Sequence, residues 1–221
     1  MRIDPEISGA SIVLVGSFNP RIFRPDWFQA TGIIGDKDSQ TATIEIIHSA
    51  VSSFSLDWAK VRIDQNKFSI ETSDPPAIRI RDLVLKTFKE FLTHTPVQHV
   101  GINRSVHFSV GSFETREKIG RTLAPHEPWG EWARQIPGNP NDLKLHGGMK
   151  SLLMTQVDRG DGFRGAVTAK IEPSTLRQLD LHGIFMEVND HFVIADNRRD
   201  FRKRRGHGHP GRPVGDFDQT L

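Results

Sequence analysis

Residues 100–110 read VGINRSVHFSV, the longest strand signal in the chain. Val100, Ile102, Val106, Phe108 and Val110 share one side at a period of two, and Asn103, Ser105, His107 and Ser109 share the other. That alternation predicts a half-buried strand of an antiparallel sheet. Arg104 falls on the apolar side, where a guanidinium needs a paired carboxylate or a groove that holds an anion.

The pattern extends in both directions. Downstream, Ser112 caps a helix with Glu114 and Glu117 early and Arg121 late, which suits the helix dipole. Residues 124–148 hold four prolines and four glycines and predict an elaborated loop carrying Trp129 and Trp132. Strands follow at about 150–157 and 164–172 around the turn Arg159-Gly160-Asp161-Gly162. Ile184, Met186 and Val188 lead into Asn189-Asp190, a two-residue hairpin signal, with Phe192 and Ile194 returning. Upstream, SIVLVGS (11–17) reads as a buried strand, RPDWFQATG (24–32) as a short helix and GDKDSQ (35–40) as a loop. TIEII (43–47) is a strand; an alternating stretch from Phe54 slips register near Ala59-Lys60, predicting a bulge or a strand end. KFSIET (67–72) is a further strand, and Ile80, Val84, Thr87, Phe88 and Phe91 mark a helix over about 77–93, which Pro96 ends.

The fold class is therefore α+β: two tandem β-α-β-β-β-(α) units forming curved antiparallel sheet packed by helices. The earlier half spans 1–95 and the later half 96–195, packed as one globular body, with a basic tail at 196–221. In element order the halves resemble the saddle of the TATA-binding-protein fold and helix-grip folds, an analogy of topology that implies nothing about DNA. The tail shows no amphipathic stripe, so the second half lacks an evident helix of its own. At VGINRSVHF (100–108) and GIFMEVNDHF (183–192) the chain also resembles a sporadically distributed family of uncharacterised bacterial proteins. That resemblance covers most of residues 10–195 and implies a bacterial protein without assigning a reaction; the polar tail departs from the terminal helix expected there.

Composition narrows the function classes. Hydrophobic residues make up 36% and charged residues 25% of the 221, so the chain can bury a sizeable core. The absence of cysteine excludes disulfides, thiolate nucleophiles and Cys-ligated metals. No signal h-region or membrane-length apolar stretch is present, and a cytoplasmic location is expected. The net charge of +2 divides into +3 over residues 196–221 and −1 over the rest. No GxSxG, GxGxxG, HExxH or P-loop pattern occurs, so no cofactor is expected.

Several groups of residues remain as candidates. Asn103, Ser105 and His107 project from one strand face and, with Arg104 opposite, can line a groove for a small anionic substrate, His107 serving as acid or base; the plain alternative is the solvent face of an amphipathic strand. His182, Glu187, Asp190 and His191 cluster in sequence and carry metal-ligand chemistry, as do His207 and His209 in the tail, although none matches a known ligand spacing. Arg198 and Arg199 with Arg202, Lys203, Arg204 and Arg205 place six cations within eight residues, enough to contact phosphates of a nucleic acid or simply to solubilise the tail. Trp27, Phe28, Trp129 and Trp132 are expected to pin their segments to the core. The first reading is a non-enzymatic binding or protein-interaction module whose partner is another protein or a second copy of itself. Nucleic-acid binding through 198–205 and catalysis near Arg104 and His107 are the alternatives.

Overall fold

The structure, a computed structural model, describes residues 4–137 and 146–194; the tail candidates Arg202, Lys203, Arg204, Arg205, His207 and His209 lie outside the described residues. Strand β1 (Ile7–Gly16) is followed by helices α1 (Pro25–Ala30) and α2 (Asp36–Thr41), then by β2 (Thr43–Ile47), β3 (Val51–Ser55), β4 (Lys60–Asp64) and β5 (Lys67–Thr72). Helix α3 (Ile78–Leu85) continues into wider π-helical turns over Lys86–Phe91, where buried Thr87 bonds back to the Leu83 carbonyl at 2.7 Å. The quoted run forms β6 (Val97–Ser109); α4 (Phe113–Leu123), β7 (Leu152–Gln156), β8 (Gly165–Pro173) and β9 (Gly183–Val193) complete the order. The strands join in one sheet, β2-β3-β4-β5-β1-β6-β9-β8-β7. Its neighbours run antiparallel: Glu6 and Ser17 of the β1 segment donate to His107 and Pro96 at opposite ends of β6. The α+β class and the antiparallel sheet are thus as the alternation predicts.

Some elements differ from expectation. GDKDSQ is helix α2 rather than a loop, because Trp58 Nε1 donates to Asp38 at 3.2 Å and Gln29 Nε2 to Asp36 at 2.9 Å. The register slip at Ala59-Lys60 is a strand end, closed by the Leu56 N–H to Ala59 carbonyl bond of 2.7 Å. Asn189-Asp190 is no hairpin; β9 runs straight through it, since Asn189 pairs with Asn103 of β6 and Asp190 with Arg159 of the β7–β8 connection.

The chain divides into two compact units. The second, comprising among the described residues Ser11–Ile102, Gly162–Arg164 and 191–194, holds most of the core. There Phe18, Phe23, Phe68 and Phe88 meet at centroid distances of 5.1 to 6.5 Å, and Phe28 joins through Phe23 and extends to Phe54. Gly16 lies so close to the Pro96 carbonyl that any Cβ there would overlap it. The first unit, Met1–Ala10, Asn103–Asp161 and Gly165–Asp190, carries the site described below. Of the buried apolar side chains among the described residues, only Leu179 and Ile184 belong to it. No helix among the described residues is long and apolar enough to cross a membrane.

Candidate functional site

Alternation along β6 gives the first unit two chemically different sheet faces. The bond from Val110 N–H to the His182 carbonyl (2.9 Å) sets a register that places His107 opposite Phe185, Ser105 opposite Glu187 and Asn103 opposite Asn189. The bond from Ser174 N–H to the Gly183 carbonyl (3.0 Å) then brings Lys170 and Glu172 of β8 onto the same side. This polar face is half-buried, and several of its side chains pair with one another. His107 Nδ1 and Ser174 Oγ are 2.9 Å apart, the Phe185 ring lies 4.6 Å from the imidazole, and Lys170 pairs with Glu172 at 2.8 Å. Asn189 donates to Asn103.

Because Ser174 Oγ already accepts the Leu176 N–H at 3.2 Å, its single proton is free to point at His107 Nδ1. Burial pushes the His107 pKa down, against the opposing charge of Glu172, and this favours the neutral ring that such a bond requires. Ser174 is only 5% exposed. The pair therefore resembles half of a nucleophile–base dyad in its atoms, but it offers no hydroxyl to a substrate. It acts as a clasp between β6 and the segment after β8.

Arg104 stands on the other face, and it is exposed. Among the described residues it has no ion pair, so the carboxylate partner expected for it is not found there, and a long cation on a wet face needs none. By the same registers, and with Met154 opposite Ala169, its neighbours are Val106, Ile7, Met186, Val188, Ile171 and Met154. Ile7, Met186, Val188 and Met154 are 37%, 37%, 39% and 66% exposed. Arg104 is thus one cation within an open apolar face, and it does not share a site with His107.

The remaining sequence candidates disperse. Asp190 is held with Asp161 by Arg159, whose side chain is 4% exposed and whose pKa the two carboxylates raise, Asp161 foremost. His191 stacks on His99 in the second unit at 5.2 Å. No three His, Asp or Glu side chains among the described residues are grouped to hold a metal. Trp27 and Phe28 do pack inward, onto Phe23. Trp129 and Trp132 do not: they face each other at 5.5 Å and stay 58% and 57% exposed, because the short 3-10 turns around Gly130 carry no buried residue.

Neither a family model nor a curated protein matches the chain. Among solved structures, the crystal structure of DynU16, described as a protein in the dynemicin biosynthetic locus, aligns over 89% of this chain and 93% of its own at 11% identity. Its TM-score of 0.24 is too low to carry any argument about fold or function.

A second constellation, on α4, was not visible in the sequence. Glu117 Oε2 meets His146 Nε2 at 3.1 Å, and its other oxygen lies 3.8 Å from Arg116. Arg116 also donates to the Asp180 carbonyl at 3.0 Å and lies 5.0 Å over the Phe113 ring, which meets His146 edge-on at 4.9 Å. Gly148, at φ 117°, admits this carboxylate, since a Cβ there would stand 3.1 Å from Oε2. Phe113 and Glu117 are four apart on one helix face, which is the only local hint. His146 comes from beyond the Pro/Gly-rich loop, and nothing in the sequence announces that return.

Proposed function

We propose that the chain is a non-enzymatic binding or protein-interaction module, and that a second copy of itself covers the apolar face around Arg104. The reading keeps the tandem organisation inferred from element order, with the later half short of a lid. One observation carries it: the first unit has almost no buried apolar side chains of its own among the described residues, while Ile7, Met154, Met186 and Val188 lie open on one contiguous sheet face. A contiguous open apolar face is the kind of surface that marks an association site. Sheet faces also associate most simply in self-complementary pairs. The exposed Trp129–Trp132 pair adds side chains of the kind that dominate interface energies.

Light scattering on the full chain, read across the micromolar range, tests this. A dimer is expected, and the double change Met154→Glu with Val188→Glu is expected to return it to monomer without loss of secondary structure by circular dichroism. A monomer at every concentration overturns the proposal.

A further inference from the structure

Helix α4 borders a cleft of about 470 Å³ lined by Phe113, Glu114, Glu117, Lys118, Arg121, Thr122 and His146. Two carboxylates and two cations line it, and Arg116 beside Glu117 adds a third cation. Glu117 is already engaged by His146 and Arg116. Glu114 is held at the helix start, where its own backbone N–H and the Ser112 hydroxyl keep its carboxyl ionised below the usual range. Lys118 and Arg121 are exposed, one helical turn apart, and have no acidic partner among the described residues. With Glu117 engaged by Arg116, one ionised carboxylate, Glu114, remains against two cations, Lys118 and Arg121, beside the Phe113 ring.

Among the described residues, two buried polar atoms also lack partners: His146 Nδ1 and Arg116 Nε. The His146 side chain is 10% exposed and its Nε2 is committed to Glu117. A buried imidazole nitrogen left unbonded is costly unless something else completes it. The Glu117 carboxylate holds the ring in one orientation.

We infer that this cleft is a binding site for a small planar organic anion, its apolar body against Phe113 and its acidic group between Lys118 and Arg121. Charge-assisted bonds to two cations orient the ligand and the ring supplies contact area, with the His146 side chain beside it in the lining. None of its lining residues belongs to the Arg104 face, and the assignment does not rest on self-association.

The test is an NMR titration of the labelled full chain with benzoate, and with inorganic phosphate as an anion lacking the apolar body. Benzoate is expected to give saturable shifts at Phe113 and the His146 ring, with affinity in the millimolar range suited to so small a probe. The double change Lys118→Ala with Arg121→Ala, both exposed positions that leave the Glu117–His146 pair intact, is expected to weaken binding about tenfold. Phosphate is expected to leave Phe113 unmoved. Linear, non-saturating benzoate shifts, or saturable shifts that survive the double change, overturn the assignment.

Discussion

His107 shows how one residue's surroundings decide between chemistry and structure. Its position on a polar strand face suits an acid or base, yet its bond to a serine that solvent barely reaches makes it part of the fold. The consequence is a sign of pH dependence. Burial lowers the folded-state pKa below the ordinary value of 6.5, so between the two values the unfolded chain binds more protons than the folded one. Stability from this residue is therefore complete above the ordinary value and is lost as pH falls through the folded one. The urea midpoint is expected to drop from pH 7 to pH 5, and to drop less in His107→Gln, which keeps a hydrogen-bonding side chain without the titration. An equal drop in both proteins would remove His107 as the source.

Individual elements were legible where their signal is local. Ser112 is the clearest case: its hydroxyl accepts the Thr115 N–H at 3.2 Å, as the Ser-then-acid spelling predicts. Ser112→Ala should cost about 1 kcal/mol in chemical denaturation and Ser112→Asp little; an unchanged Ser112→Ala would show that α4 is held by tertiary contacts alone. The alternation of β6 was equally readable and placed Asn103, Ser105 and His107 on one face. What failed was whatever depends on residues distant in sequence. Asn189-Asp190 spells a turn, but Asn103 and Arg159, 86 and 31 residues away, make it part of a strand. GDKDSQ has no apolar stripe, and its helix leans on Trp58, 20 residues from Asp38. The Glu117–His146 pair closes a gap of 29 residues across a loop of prolines and glycines, so no periodicity could have announced it.

For the whole molecule, the decisive property is the uneven distribution of the core. The second unit buries Phe23, Phe28, Phe54, Phe68, Val61, Ile63 and Ile70 at 1% exposure or less, whereas the first unit's strands carry chiefly half-buried side chains on both faces. Local opening free energy follows buried apolar contact, so the two units should differ in how readily their backbone amides meet water. Hydrogen exchange is expected to show the slowest amides in β3, β4 and β5, and faster exchange in the first-unit residues of β7, β8 and β9. If a second copy covers the Arg104 face, protection of those faster amides should rise with protein concentration while β4 stays constant, because only species that bind the folded chain shift its local equilibria. A concentration-independent pattern with β7 and β8 as slow as β4 would mean that the sparse core is sufficient by itself, and that the open face needs no partner to be stable.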